Sequence, residues 1–201
     1  MTPAIPGLLV AIEGLDQSGK ETQAHLLGPW FDHQGVRVEL IGFPDYSTTI
    51  GAEIGEALRG RRQFSAEVMQ LLYVANRHEW KQAIDTWTGE GRAVICDRYL
   101  ASSVAYGEAQ GLDPAWLTLI QATLPQPVVT VLLDIAPAAA AARKRENRDR
   151  FEQDLDMLGR VRMSYLRQAA EQDWIVVDAD RHQDAVAFDI IGQLGPRLVR
   201  S

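Results

Sequence analysis

A three-layer α/β/α fold, with a five-stranded parallel sheet surrounded by helices, is what this 201-residue sequence predicts. Three observations carry the prediction. Five short apolar runs alternate with helix-length segments. The runs are apolar nearly throughout, not at every second position. A glycine-rich turn joins the first run directly to the first helical segment. Continuous apolar character marks strands buried on both faces, the habit of parallel sheets, and strands separated by helices imply βαβ crossovers.

The five runs are 7–12 (GLLVAI), 36–43 (VRVELIGF), 93–96 (AVIC), 128–135 (VVTVLLDI) and 174–177 (WIVV). Helical patterns fill about 21–34, 51–60, 64–89, 101–124 and 137–172, with a last helix near 183–194. The AAAAA stretch at 138–142 is a strong helix former. No repeat, low-complexity linker or charge block marks a boundary, so residues 1–201 are expected to form a single domain.

Hydrophobic residues make up 46% and charged residues 23%, ordinary values that exclude disorder, collagen and coiled coil as the main theme. No apolar stretch approaches ~20 residues, so no membrane-spanning helix is expected. The N-terminal MTPAIPGLLVAIEGLD lacks a charged leader and meets acidic residues early, unlike a signal peptide. A net charge of −7 argues against bulk binding to nucleic acid. The one cysteine, Cys96, excludes an internal disulfide or a multi-cysteine metal site and suits a reducing cytoplasm. The four histidines (25, 33, 78, 182) have no ligand spacing and read as structural or surface residues. Basic charge is almost all arginine, 17 against three lysines, so the position of each lysine is informative.

Gly14-Leu15-Asp16-Gln17-Ser18-Gly19-Lys20 follows the first run and precedes the first helix. This is the G-x-x-x-x-G-K of a phosphate-binding P-loop in its required context. Glycines let the backbone curl so that successive N–H groups converge on phosphate oxygens, and the helix N-terminus adds its positive dipole end. Lys20 brings a formal charge to the β- and γ-phosphates. One position departs. The residue after Lys20 is Glu21, not the usual Ser or Thr that ligates Mg²⁺, and Thr22, one helical step of 100° further, points elsewhere. Either Glu21 faces away and Mg²⁺ is held by water and phosphates, or the carboxylate takes part.

Further along, AVIC ends in Asp97, a strand closing on a carboxylate where α/β sheets bind ligands. Such an acid orders Mg²⁺ through water or caps the next helix. Arg98 follows, a fork suited to a phosphate dianion. Tyr73 and Arg77 lie four apart on one helix face, fit to stack a base and bond its edge, or to form a plain surface or core pair. Asp16 serves either a ligand or the turn itself. Residues 143–150 (RKRENRDR) carry a local net charge of +3 in an acidic chain, either a solvated helix end or an anion-binding segment.

Taken together, IEGLDQSGKETQ, FPDYSTTIG, LLYVANRHEW, DRYLASSVAY and an Arg-rich stretch ending in RFEQD resemble the thymidylate kinase (dTMP kinase) family of P-loop nucleoside monophosphate kinases, in the family's order, over about residues 7–193. The resemblance implies a P-loop kinase fold, with a LID segment at about 143–153 that closes over ATP. It implies transfer of the ATP γ-phosphate to dTMP, giving dTDP and ADP for dTTP biosynthesis, with Mg²⁺, in a cytoplasmic homodimer. It implies that Arg98 holds the acceptor phosphate, that Tyr73 stacks on thymine and that Arg77 reads a thymine carbonyl. Ser102 and Ser103 fall near the base edge, Tyr106 under the deoxyribose, and Asp16 near the 3′-hydroxyl. Phe43 and Pro44 form the turn packed near the acceptor. In the LID, Arg143 matches the arginine stacked on adenine, Arg148 and Arg150 contact phosphates, and Glu152 approaches the acceptor and its metal.

Two further departures matter. Many relatives carry an arginine just after the Phe-Pro turn, and here Asp45 and Tyr46 follow, which shifts the phosphate-holding role onto Arg98. Some relatives carry a P-loop arginine after the aspartate, and Gln17 stands there, so the chain resembles the subclass whose LID supplies the arginines. A P-loop kinase for another nucleoside or nucleoside monophosphate, and a nucleotide-binding regulator without turnover, are the other readings. Turnover across the nucleoside monophosphates separates the three.

Overall fold

Five parallel strands form one sheet in the order β2-β3-β1-β4-β5 in the computed structural model, which describes residues 7–143 and 154–198. The elements run β1 (Leu8–Gly14), α1 (Lys20–His33), β2 (Val38–Gly42), α2 (Thr49–Leu58), α3 (Ala66–Gly89), β3 (Ala93–Asp97), α4 (Leu100–Ala109), α5 (Pro114–Leu119), β4 (Val129–Asp134), α6 (Pro137–Arg143), α7 (Leu155–Glu171), β5 (Ile175–Asp178) and α8 (Gln183–Leu198). All five expected strands form, each within a few residues of the expected place.

β1 lies at the centre and is buried along its whole length. Alternate side chains feed two cores, as the two-residue strand period requires. Leu8, Val10 and Ile12 pack with Leu27 and Phe31 of α1, whereas Leu9 and Ala11 pack with Ile84 of α3 and with Tyr99. The register sets the carboxyl ends level: Ile12 pairs with Asp97, Gly42 with Asp97, and Gly14 with Leu133. Because β3 and β4 flank β1 on opposite sides, the chain reverses its winding direction at β1, and a crevice opens beyond the strand ends.

Two long expected helices are each divided. The pattern at 101–124 becomes α4 and α5. Gly111 adopts a positive φ of 88°, Asp113 caps α5 by accepting from the Ala115 amide at 2.9 Å, and Pro114 occupies its first turn. These stop and start signals outweigh the apolar periodicity that runs through them. The pattern at 137–172 is likewise interrupted. Asp154 is extended, with φ −97° and ψ 93°, and caps α7 by accepting from the Met157 amide at 2.9 Å. No helix among the described residues is long and apolar enough to cross a membrane.

α4 and α5 approach closely at Gly107, where a Cβ would lie 2.6 and 2.7 Å from the methyls of the fully buried Leu117. Gly107→Ala should therefore overpack this contact and destabilise the chain by about 1–3 kcal/mol, read as a lowered thermal midpoint. An unchanged or higher midpoint would mean that the two helices part without cost.

Candidate active site

β1 enters the phosphate loop at Gly14, whose φ of 146° and surroundings admit no side chain: a Cβ would lie 2.7 Å from the Leu133 carbonyl oxygen. Gln17 is left-handed at φ 64°, and Gly19, at φ 95°, is the N-cap of α1. Lys20 opens that helix. It is buried, and its Nζ donates to the Leu15 carbonyl at 2.8 Å. Burial and the neighbouring Arg98 charge lower its pKa to about 8, against the opposing pull of Asp16, Asp97 and Glu13.

Arg98 follows β3 in the left-handed region at φ 64°, an unusual conformation for a residue with a side chain. Its guanidinium pairs with Asp16 at 2.5 Å and donates to the Gly14 carbonyl at 3.1 Å. The Tyr106 hydroxyl donates to the other Asp16 oxygen at 2.9 Å. Burial raises the Asp16 pKa, but Arg98, Lys20 and the Tyr106 hydroxyl overcome that and hold the carboxyl well below the usual range.

Beneath this pair lies Glu13, fully buried. One of its oxygens accepts from the backbone amides of Tyr99 and Ser102 at 2.8 and 3.3 Å, at the start of α4. The other accepts from the hydroxyls of Ser102 at 2.6 Å and Tyr165 at 3.2 Å. A carboxylate at a helix N-terminus is well placed for both the orphan amides and the dipole. The clamp ties β1, α4 and α7 together directly behind Arg98.

One cavity gathers nine residues expected from the sequence: Asp16, Phe43, Pro44, Tyr73, Arg77, Arg98, Ser102, Ser103 and Tyr106. Tyr73 and Arg77 come from α3, the serines and Tyr106 from α4. Arg77 is buried, donates to the Ser103 hydroxyl at 2.8 Å and lies 5.9 Å from the centre of the Phe43 ring. Burial is the largest influence on it and lowers its pKa. The Ser102 hydroxyl is engaged by Glu13 and Tyr165, so its place on the wall is structural as well.

A second cleft holds Asp16, Gln17, Gly19, Lys20, Glu21, Thr22 and Asp97. Gly14, Leu15 and Ser18 complete the loop above it. Glu21 and Thr22 are both exposed. One Asp97 carboxylate oxygen and the Ser18 hydroxyl are buried without hydrogen-bond partners. No group of three or more His, Cys, Asp or Glu side chains converges among the described residues. All four histidines are exposed and Cys96 is buried, as the sequence predicts.

Asp45, just after the Phe43–Pro44 turn, has local work. It accepts from the Trp80 indole at 3.0 Å and from the Ser47 hydroxyl at 2.7 Å, while Asn76 bonds its backbone at 2.9 and 3.2 Å. This fastens the turn after the cis Phe43–Pro44 bond onto α3. Arg143, the last residue of α6, donates to the Gln17 carbonyl at 3.1 Å and the Ala179 carbonyl at 2.7 Å, which sets it at the edge of the phosphate loop. Arg148, Arg150 and Glu152 lie outside the described residues.

Several site residues escape sequence reasoning. Glu13 adjoins the phosphate loop, but its role depends on amides 86 and 89 positions away. Tyr165 carries no motif at all. Gln70, Met69, Leu58, Tyr46 and Gln110 also line the first cavity, and of these Gln70 had a usable signal: it precedes Tyr73 by three and Arg77 by seven on one helix.

The thymidylate kinase family model matches residues 12–190. The chain belongs to the thymidylate kinase family. It is 35% identical over 190 residues to the thymidylate kinase of Schizosaccharomyces pombe, covering 92% of this chain and 90% of that protein. A probable thymidylate kinase of Pyrococcus abyssi is 37% identical over 203 residues, covering 96% and 98%. The solved thymidylate kinase of Candida albicans superposes with a TM-score of 0.83 at 30% identity, over 96% of this chain and 94% of that one. The five-stranded parallel P-loop kinase fold is thus the family's own, and the chain is a kinase.

The Lys20 pKa near 8 has a measurable consequence. A bound polyphosphate favours the charged amine and raises its pKa, so binding takes up protons around pH 8, and nucleoside triphosphate affinity falls as pH rises through that value. Calorimetric titration at pH 8 in two buffers of different ionisation enthalpy should detect uptake of roughly half a proton. Binding with no uptake would place Lys20 away from the phosphates.

Proposed function

We propose that this member of the family transfers the γ-phosphate of ATP to dTMP, giving dTDP and ADP, and that its residues divide that work as follows. The observation that carries the reading is the junction of the two spaces: the acceptor cavity and the phosphate-loop cleft share Asp16, Phe43, Pro44, Tyr46 and Arg98. Two phosphorylated substrates, one in each, meet at a single arginine.

ATP takes the cleft. Backbone amides of the phosphate loop from Gly14 to Gly19, the N-terminus of α1 and Lys20 hold its phosphates. Arg143 takes the adenine edge. dTMP takes the cavity, with its base against Tyr73 and Arg77, its sugar between Asp16 and Tyr106, and its phosphate on Arg98. An oxygen of the acceptor phosphate attacks the γ-phosphorus. The bond to the oxygen bridging the β- and γ-phosphorus breaks, and that electron pair leaves on ADP. The acceptor is already an anion, so no strong base is required. Positioning and charge neutralisation carry the rate. Arg148 and Arg150 are read as further phosphate contacts on sequence grounds alone, and Glu152 as an acid near the acceptor.

Mg²⁺ suits the donor set. Asp97, with an unpartnered oxygen in the cleft, would hold it together with phosphate oxygens, and when bound it would supply screening of the charge on the transferred group. Glu21, exposed at the same cleft, is read as turned away from the phosphates. The reading keeps a reducing cytoplasm, in line with a single buried cysteine, and a homodimer.

Two substitutions test this assignment. Lys20→Ala should lower kcat by about 10²–10³ with the fold retained. Retention of more than about a tenth of wild-type kcat would remove Lys20 from the reacting phosphates. Glu21→Ser should keep activity and steepen its dependence on Mg²⁺ concentration. A collapse of turnover in Glu21→Ser would make the glutamate a working part of the site.

A further inference from the structure

Gln70 is the most unusual side chain in the acceptor cavity. It is fully buried, and both polar atoms of its carboxamide lack a hydrogen-bond partner. It nevertheless lines the cavity proposed to hold the acceptor base. A buried amide that no protein group satisfies is costly in a folded protein, and few survive without a reason. The Arg77 Nε is unpartnered as well, while its NH1 donates to Ser103. Gln70, Tyr73 and Arg77 stand at i, i+3 and i+7 of α3, so they form one stripe along the cavity wall. A base stacked on Tyr73 is flanked by a carboxamide one turn before and a guanidinium one turn after.

The chemistry of that pair is selective. A 4-oxo pyrimidine presents an N3–H donor between two carbonyl acceptors. A carboxamide offers one acceptor and one donor side, whichever way it is turned. Alone it matches either thymine or cytosine by rotating. Arg77 removes that ambiguity, because a guanidinium only donates. It donates to a carbonyl oxygen at position 4 and meets the cytosine amine donor to donor. With Arg77 on the carbonyl, the complementary partner left for Gln70 is N3–H.

We propose that Gln70 is a specificity-determining residue, accepting the N3–H of the acceptor base. Jointly with Arg77 it restricts the pocket to 4-oxo, N3-protonated pyrimidine monophosphates. The inference rests on the assignment of the first cavity to dTMP. It also gives a partner to an amide that no protein group satisfies.

The test compares wild type with Gln70→Met, which keeps the volume and removes the amide. Steady-state kinetics are run with dTMP and with N3-methyl-dTMP, beside thermal melting of the free protein. Wild type should prefer dTMP strongly. Gln70→Met should raise KM for dTMP about ten- to a hundredfold with kcat within about threefold, shrink the preference over the N3-methyl analogue by a similar factor, and melt at or above the wild-type temperature. An unchanged preference overturns the assignment. So does a Gln70→Met protein that melts lower or fails to fold, since that places the amide in structural work. If wild type itself does not turn over dTMP with ATP, the kinase reading fails, whereas wild-type turnover with an unaltered preference in the variant sinks only the role of Gln70.

Discussion

The pair formed by Arg98 and Asp16 joins the carboxyl end of β3 to the phosphate loop after β1, and the two cavities meet there. A guanidinium left to itself has many rotamers. This one is fixed from three sides: by its left-handed backbone, by Asp16 with the Gly14 carbonyl, and by the Tyr106 ring 5.3 Å away. Behind it, the buried Glu13 holds the first turn of α4. Strain in the Arg98 backbone is balanced by that clamp, a common arrangement where a side chain must be aimed. The fold contributes by register. The strands bring Ile12 opposite Asp97, so the residues just beyond each strand end face one another across the crevice.

Electrostatics sharpen the same point. Burial and the nearby Arg98 charge depress the protonation of Lys20, and Asp16, Asp97 and Glu13 oppose them. Before substrate binds, Asp16 occupies Arg98 much as a phosphate would. If Arg98 receives the acceptor phosphate, as proposed, its guanidinium is already aimed and its donors need no reorganisation from bulk water. Arg77 follows a different logic. It sits dry beside Ser103 and Phe43, and burial rather than a carboxylate governs it, which suits a group that meets an uncharged base.

Most of this was legible in the sequence because it is local. Five apolar runs, the glycine-spaced loop and the Asp97-Arg98 step each lie in a few consecutive residues, and the structure keeps all of them. The breaks at Gly111–Pro114 and at Asp154 were also written in local signals, but a continuing apolar period masked them. Glu13 and Tyr165 were not legible, because their function consists of bonds spanning 63 to 152 positions that only the folded sheet creates. In the sequence Asp45 shows only as a departure from the arginine that many relatives carry after the Phe-Pro turn. Its role in fastening the Phe43–Pro44 turn through Trp80 and Asn76 depends on α3 arriving beside it. Gln70 lay between, on a visible stripe but without a partner to give it meaning until the cavity was formed.

The central claim is that Arg98 receives the acceptor phosphate. Equilibrium binding of dTMP and of thymidine, which lacks the phosphate, to wild type and to Arg98→Ala tests it most directly. Wild type should bind dTMP more tightly than thymidine, and the substitution should cost dTMP about ten- to a hundredfold while leaving thymidine nearly unchanged, as expected for a charge-assisted bond to the phosphate alone. Equal weakening of both ligands would contradict the account, leaving Arg98 as a support for the cavity wall rather than the group that holds the phosphate.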